Sequence, residues 1–261
     1  MSLLVVQALC KTFGGVVAAR DVSFAVDRGE MIALIGPNGA GKSTVFNMVG
    51  GQLAPDHGDV VLEGQKITRL SPRARFRRGI GRTFQIARTF ASMTAAENVQ
   101  MALISHHGES RRLWRAARLA YRDEALDILH RVGMTDAADR LCSTLAYGDV
   151  KRVELAIALA GRPKLLLMDE PTAGMAPRER GELMDLVSRI VRDERIGVLF
   201  TEHDVGVVFG HADRVLVLVR GEVMTSGSPE AIRTDARVRE AYLGHAGEPP
   251  VPRADRQGAV P

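Results

Sequence analysis

This chain of 261 residues has few cysteines, no long apolar run and no large excess of positive or negative charge. The two cysteines, Cys10 and Cys142, lie far apart, with neither a CxxC pair nor a zinc-ligand spacing, which predicts reduced core thiols in a cytosolic protein. No apolar run approaches the ~18 residues that a membrane-spanning helix needs. The N-terminus has no basic start and no cleavage site, so we expect no signal peptide.

The charge balance argues against a nucleic-acid partner. The chain has 35 basic and 31 acidic residues and a net charge of +4, which is too mild to predict binding to DNA or RNA. Its 46% hydrophobic and 25% charged content is typical of a soluble globular protein, and its length fits one large domain or one and a half ordinary ones. A role at a membrane would therefore require a membrane-embedded partner.

A nine-residue segment, 36–44, matches the phosphate-binding pattern GxxxxGK[ST] at every fixed position. The apolar run Met31–Ile35 before it suits a buried strand, and the residues after it can open a helix. The glycines let backbone N–H groups approach phosphate oxygens, Lys42 would meet the β- and γ-phosphates, and Ser43 would hold Mg²⁺. The predicted nucleotide-binding residues are Gly36, Asn38, Gly39, Ala40, Gly41, Lys42, Ser43 and Thr44.

Two further apolar strands end in candidate catalytic side chains. The first strand, from Leu165, ends in Asp169, which can orient Mg²⁺, and Glu170, which can polarise an attacking water. The second strand, Val198–Thr201, precedes His203, a candidate sensor of the γ-phosphate. Because the carboxyl ends of parallel strands share one sheet edge, we expect these groups to meet the phosphate loop.

Two candidates upstream rest on weaker signals. Phe13 could stack on an adenine base, although composition favours a place in the core. Gln85 ends a predicted strand that begins at Ile80, and a glutamine there can bind water or metal.

The segment from Gly64 to Ala96 contains no acidic residue and eight basic ones. A solvated helix face is one interpretation, and attraction of nucleotide or anionic lipid headgroups is the other. The basic residues are Lys66, Arg69, Arg73, Arg75, Arg77, Arg78, Arg82 and Arg88.

A second basic stretch follows the pair His106-His107. The two histidines lack carboxylate or thiol partners at metal-ligand spacing, so we interpret them as surface residues. The arginines of 111–122 fit either a basic amphipathic helix on a membrane or partner, or a surface helix with buried apolar residues.

The remaining patterns give a coarse outline of the chain. We expect strands at Leu3–Leu9, 16–19 and 21–26, mostly helix from Met93 to Ala160, and a hairpin over 215–224. One last helix should run from 228 to 243. The proline-containing tail, 245–261, is predicted to be disordered.

The order of these segments resembles the ATP-binding subunit of an ABC transporter over residues 3–244. The resemblance rests on the phosphate loop, Gln85, a signature segment Leu145–Asp149, the strand ending in Glu170, and His203. It implies an α/β fold: a RecA-like phosphate-loop core with an antiparallel β subdomain and an inserted helical subdomain. The implied domains are residues 1–244, with helices over about 86–160, followed by the tail 245–261.

The resemblance also implies the chemistry and the partners. ATP and Mg²⁺ would be the cofactors, with Glu170, His203 and Gln85 in catalysis and Ser43, Gln85 and Asp169 around the metal. Tyr147 and Gly148 of the signature would face the nucleotide of a second ATPase subunit. The expected partners are membrane permease subunits and, indirectly, a periplasmic or extracellular substrate-binding protein. The chain would then act peripherally at the cytoplasmic side of the inner membrane and be soluble when isolated.

Within that family, several segments are similar to the subunits of branched-chain amino acid importers. They are Arg82–Gln85, Leu145–Gly148, Glu170–Met175, Ala241–Gly244 and the long basic insertion near 106–122. Importers of urea or short amides and the lipopolysaccharide-export ATPase share parts of the pattern. Soluble ABC proteins acting on DNA or ribosomes remain alternatives, as does a module that binds ATP without hydrolysing it.

The signature departs from the usual LSGGQ at two positions. Ala146 lacks the serine hydroxyl, and Asp149 replaces glutamine. The usual SALD after the acidic strand is replaced by 173–176, so its aspartate is absent. These departures are compatible with a subunit that forms a heterodimer with a different chain, and a homodimer is the alternative.

Overall fold

The computed structural model describes residues 2–83, 89–108 and 121–243. The strands are β1 (Leu4–Phe13), β2 (Val16–Val26), β3 (Met31–Ile35), β4 (His57–Leu62), β5 (Gln65–Lys66), β6 (Ile80–Thr83), β7 (Leu165–Asp169), β8 (Gly197–Thr201), β9 (Arg214–Val219) and β10 (Glu222–Gly227). The helices are α1 (Lys42–Gly50), α2 (Pro72–Phe76), α3 (Ala95–His107), α4 (Arg122–Arg131), α5 (Tyr147–Leu159), α6 (Pro177–Glu194), α7 (Val205–His211), α8 (Pro229–Thr234) and α9 (Ala236–Val238). Short 3₁₀ turns, Thr135–Ala137 and Cys142–Thr144, and a π-helical segment, Arg239–Leu243, complete these elements.

Two sheets form the framework. The larger has the order β10-β9-β3-β8-β7-β6, in which every neighbouring pair is parallel except the antiparallel edge pair β10–β9. The smaller has the order β2-β1-β4-β5 and is antiparallel throughout. This arrangement confirms the predicted α/β core with an antiparallel β sheet.

Strand β3 is buried along its whole length because both faces of the large sheet are covered. On one face, Ala33 and Ile35 join a core that includes side chains of α3, α4, α5 and α6. On the other, Ile32 and Leu34 join a core with α1 and the antiparallel sheet. The alternation of side chains along one strand thus places it between two hydrophobic cores.

The helices α3 and α5 follow the predicted helical stretch, and their ends have clear local causes. Thr94 caps α3 in a reciprocal pair with Glu97, and Gly108 ends it in the left-handed conformation. The predicted break after His106-His107 is therefore confirmed. The tail 245–261 and most of the basic stretch 111–122 lie outside the described residues.

Two expectations about the chain's ends were wrong. The segments 16–19 and 21–26 form one continuous strand, β2, because their pairing with β1 continues through bulges. The expected helix 228–243 is divided at Asp235, whose carboxylate accepts from the backbone N–H of Arg237 and starts a new turn.

The preference for a core position of Phe13 was also wrong, because its side chain is 48% exposed. Both cysteines are free thiols, with Cys142 buried and Cys10 only half-buried. Among the described helices, none combines the length and hydropathy required to cross a bilayer.

Candidate functional site

The phosphate loop connects β3 to α1 and wraps closely against neighbouring backbone. A Cβ on Gly36 would lie 2.0 Å from the carbonyl oxygen of Leu218, and one on Gly41 would lie 2.1 Å from that of Ala18. Both glycines also have positive φ, 150° and 98°. Only glycine fits these two positions, so the glycine spacing in the sequence is a direct requirement of the loop.

Lys42 is held across this loop by its own backbone. Its Nζ donates to the carbonyl oxygens of Gly36 at 2.6 Å and Pro37 at 3.1 Å, and the residue is only 8% exposed. Burial lowers the pKa of Lys42, and the charge of Glu170 partly opposes that shift. A desolvated ammonium that bonds only carbonyl oxygens in the described structure is suited to receive a phosphate oxygen.

Asp169 lies at the carboxyl end of β7, where a threonine orients it. The Thr201 hydroxyl donates to Asp169 Oδ1 at 2.8 Å, and Arg82 approaches Oδ2 at 3.5 Å. Arg82 also donates to Asn47 of α1 and packs over the ring of Phe46. Sequence reasoning did not assign Thr201 or Arg82 to the site, although both lie at the ends of strands adjacent to β7.

Glu170, the first residue after β7, meets His203, the second residue after β8. Glu170 Oε1 lies 2.8 Å from His203 Nε2, and the backbone N–H of Glu170 donates to the Thr201 carbonyl and hydroxyl oxygens. Glu170 has a left-handed φ of 46°, which turns the chain sharply after β7. The structure therefore brings together two side chains that are 33 positions apart in the sequence.

Glu202 holds the segments on either side of the Glu170–His203 pair. No role was assigned to it from the sequence. Its buried carboxylate accepts from the Thr172 hydroxyl at 2.6 Å, the Thr172 N–H at 2.9 Å and the His203 N–H at 3.1 Å. These bonds connect the segments that follow β7 and β8. The only sequence signal for a role of Glu202 was its position directly before His203 at the end of a predicted strand.

A cavity of about 270 Å³ lies between the phosphate loop and the Glu170–His203 pair. It gathers nearly all the predicted phosphate-binding residues with the predicted catalytic pair. The lining residues are Ala18, Asn38, Gly39, Ala40, Gly41, Lys42, Ser43, Thr44, Glu170 and His203. Phe13 is not among them, and Gln85 lies outside the described residues.

The signature residues do not line this cavity. Tyr147 and Gly148 open α5, where Gly148 approaches Glu179 and Met175 and the Lys151 ammonium lies 5.8 Å from the Tyr147 ring centroid. Tyr147 is exposed. A single chain thus carries the phosphate loop and the signature as separate surfaces.

Comparison with known proteins identifies the family. The family model described as ABC transporter matches residues 19–173, which is more than half of the chain. The chain belongs to the ABC transporter family. A second model, described as branched-chain amino acid ATP-binding cassette transporter, matches residues 222–248 of this ABC protein.

Two curated relatives of this ABC protein show how widely the likeness extends. It is 37% identical to the high-affinity branched-chain amino acid transport ATP-binding protein LivG of Escherichia coli, covering 94% of this chain and 98% of LivG. It is 39% identical to the lipopolysaccharide export system ATP-binding protein LptB of Acidithiobacillus ferridurans, covering 93% and 97%. Percentage identity alone therefore does not show whether this chain is more similar to the amino acid transport proteins or to the lipopolysaccharide export proteins.

Solved structures of ABC cassettes confirm the fold. The ADP conformation of an ATP-binding cassette aligns with a TM-score of 0.82 and 29% identity, covering 94% of this chain and 99% of that one. A dimeric post-hydrolysis cassette bound to ADP and phosphate aligns with a TM-score of 0.73 and 27% identity, covering 87% and 98%. This ABC protein is therefore a nucleotide-binding ATPase subunit.

The residues around the cavity fit Mg²⁺ as well as nucleotide. Mg²⁺ is bound in such sites by few protein oxygens together with phosphates and waters. The exposed Ser43 hydroxyl and the Asp169 carboxylate supply that kind of donor set. The described residues contain no cluster of three His, Cys, Asp or Glu side chains that would bind a metal without the nucleotide.

Proposed function

We propose that this chain hydrolyses ATP with Glu170 as the general base, and that the energy drives an importer of branched-chain amino acids. The observation that carries the catalytic assignment is the 2.8 Å contact between Glu170 and His203 at the edge of the phosphate-loop cavity. Both side chains line the cavity opposite Lys42, so a water between them and a γ-phosphate would be in reach of the carboxylate.

Each group of the site has one task in this scheme. Lys42 and the loop N–H groups bind the phosphates, and His203 contacts the γ-phosphate while its Nε2 holds Glu170 in place. Ser43 and Asp169, with Gln85 from outside the described residues, would bind Mg²⁺, which neutralises phosphate charge when bound. Phe13 would stack on the adenine from the exposed end of the β1–β2 hairpin.

The cargo assignment depends on the C-terminal match. The model for branched-chain amino acid cassettes covers residues 222–248, a part of the chain outside the catalytic core. Import of urea or amides and lipopolysaccharide export are the alternatives, the latter because LptB is similar over nearly the whole chain. Transport of labelled leucine by the complex reconstituted with its permease would support the first assignment, and absence of leucine uptake with active ATP hydrolysis would exclude it.

The assembly we infer contains permease subunits, a second ATPase subunit and, indirectly, an extracytoplasmic substrate-binding protein. Its place would be the cytoplasmic face of the inner membrane, where this chain is peripheral. The support is the separation of the phosphate loop and signature on one chain, together with the dimeric state of a similar cassette. The signature of the second subunit would then close the cavity.

Replacing the carboxylate tests the catalytic assignment directly. Glu170→Gln keeps the shape of the side chain but removes the base, so hydrolysis should fall by about 10²-fold or more while ATP binding persists. The variant should also accumulate an ATP-bound dimer, measurable by gel filtration. Glu194→Gln, at the last residue of α6 and on the surface, is the matched control and should keep hydrolysis. Normal turnover of Glu170→Gln would show that Glu170 is not the base.

A further inference from the structure

The structure separates the basic residues of the acid-free segment 64–96 into two groups. Arg75 is buried and donates to backbone carbonyls, and Lys66 forms an ion pair with Asp59 at 2.6 Å. In contrast, four arginines are exposed and form no ion pair with any residue in 2–83, 89–108 or 121–243. These are Arg69, Arg73, Arg77 and Arg78. The nucleotide site uses none of them.

Two of these arginines line a cavity of about 380 Å³ that is strongly basic. Its lining contains four cationic side chains and one carboxylate, that of Glu63. Glu63 is already bound by Lys164 at 2.5 Å and also pairs with Arg28. The cations in the lining are Arg77, Arg78, Arg162 and Lys164. The cavity therefore has an excess of positive charge at Arg77 and Arg78 that no carboxylate in the lining balances.

A second cavity of about 340 Å³ adjoins the first and shares the same two arginines. It is lined by Ser71, Arg73, Ala74, Arg77 and Arg78, with no acidic residue. Guanidinium groups bind phosphate oxygens through paired N–H donors, which makes such an arrangement suited to a phosphate group. The two cavities together form one basic surface, which we call the Arg77–Arg78 site.

His106, at the end of α3, also lines the first cavity. Its Nδ1 atom is buried and has no hydrogen-bond partner in the described structure. Burial lowers the pKa of His106, and the charges of His107, Arg162 and Arg77 lower it further, against the opposite effect of Glu124. A bound anion would offset these positive charges.

The Arg77–Arg78 site lies at the amino ends of the parallel strands, whereas the nucleotide cavity lies at their carboxyl ends. Gly79 and Lys164 of the lining come directly before β6 and β7, whereas Asp169 and Glu170 follow β7 at its carboxyl end. A strand of five residues spans about 16 Å, so one ligand phosphate cannot serve both places. The two sites are therefore separate places on the molecule.

We propose that the Arg77–Arg78 site binds a phosphate-bearing anion, supplied either by a phospholipid headgroup or by a free phosphate compound. The two sources share one chemistry, a compact phosphate that accepts from guanidinium N–H groups. Each basic side chain near an anionic surface contributes roughly fivefold to affinity, so removing two should cost roughly 25-fold.

The test compares two double variants with the same change in charge. Arg77→Gln/Arg78→Gln removes the site, and Arg189→Gln/Arg192→Gln removes two exposed arginines of α6 that line neither cavity. Vesicles of phosphatidylglycerol and phosphatidylcholine, against phosphatidylcholine alone, probe the lipid source by co-sedimentation. Inorganic pyrophosphate, titrated calorimetrically without Mg²⁺ in a Lys42→Ala background that disables the phosphate loop, probes the soluble source.

Selective loss of binding in the Arg77→Gln/Arg78→Gln protein supports the proposal, and the probe that is lost identifies the source. Equal loss of binding in both double variants would mean that only the overall positive charge matters, which would overturn the proposal. The proposal would also be overturned if neither probe bound to protein that retains Arg77 and Arg78. Arg162→Gln gives an independent check: this side chain is 75% exposed and pairs with Glu124 at 2.9 Å, so its removal should cost up to about fivefold in affinity and little in stability.

Discussion

The helices α1 and α5 both begin without a side-chain cap, yet their N-termini offer different environments to an anion. Helix α1 follows Gly41 and has no acidic residue in its first turn. Helix α5 follows Ala146 and has Asp149 there. Five of the other helices are capped by a side chain, whereas α4 and α6 are not; the capping residues are Ser71, Thr94, Asp204, Ser228 and Asp235. The free N–H groups of α1 are thus available for phosphate, whereas the first turn of α5 carries a negative charge that opposes binding of an anion.

The two helices are also anchored differently. The last turn of α1 is bound by Arg75, whose guanidinium donates to the carbonyls of Met48 and Val49 and is 1% exposed. Helix α5 instead contains a buried ion pair between Lys151 and Glu154 at 3.2 Å. A cation at the C-terminus of α1 interacts favourably with the helix dipole, so Arg75 stabilises the helix whose N-terminus faces the phosphate-loop cavity.

The largest expected effect concerns the N-terminus of α1. Lys42→Ala removes the only cation that lines the cavity in the described residues, and turnover should fall by about 10²–10³-fold or more, with weaker ATP binding. Hydrolysis assays and calorimetry would measure the two losses. Lys42→Arg keeps the charge with a different geometry and should recover binding only in part. Unchanged ATP affinity and turnover in Lys42→Ala would remove the phosphate loop from the mechanism.

The next effect concerns the C-terminus of α1. Burial lowers the pKa of Arg75 to about 10, still well above neutrality, so its charge and donors persist in the folded chain. Arg75→Met would leave several buried carbonyls unpaired and should lower the free energy of unfolding by about 3 kcal/mol or more. Urea unfolding of the nucleotide-free chain measures this loss.

Arg75→Lys is the matched control, because it keeps one positive charge but cannot reach all four carbonyls: those of Met48, Val49, Leu70 and Thr68. It should therefore lose less stability than Arg75→Met. A loss of under about 0.5 kcal/mol in Arg75→Met would show that water replaces the guanidinium and that α1 needs no anchor there.

The same comparison shows what could be predicted from sequence. The phosphate loop was predictable residue by residue because the backbone N–H groups that cradle a phosphate require a fixed glycine spacing, and Gly36, Gly39 and Gly41 all have a positive φ. Glu170 and His203 were predictable because parallel strands end at one edge. The roles of Thr201, Glu202 and Arg75 were not, because each depends on partners that only the folded chain brings near.

The exposed position of Phe13 could not be predicted either, since an aromatic residue at a strand end fits core and surface equally. The division of the last helix depended on a single side chain, Asp235, bonding its own backbone. Such local competition between side chain and helix leaves only a weak trace in sequence.

The smallest expected effect concerns the N-terminus of α5. It distinguishes a homodimer of this chain from a heterodimer with a different ATPase subunit. A site closed by Ala146 and Asp149 lacks a hydroxyl donor for the opposite γ-phosphate and presents a carboxylate instead. A missing donor costs ~1–3 kcal/mol unless N–H groups or water replace it. If two copies of this chain pair, Ala146→Ser/Asp149→Gln should raise ATP hydrolysis of the isolated chain about fivefold or more.

If the natural partner is a different ATPase, the isolated chain should hydrolyse ATP weakly with or without these changes, and activity should rise on assembly with that subunit and the permease. Ala146→Gly/Asp149→Gln is the matched control, since it removes the carboxylate without supplying a hydroxyl. The serine could also cap α5 itself, so a gain in thermal stability without a gain in hydrolysis would assign the hydroxyl to the helix. Full hydrolysis by the unaltered chain as a stable homodimer would contradict the heterodimer.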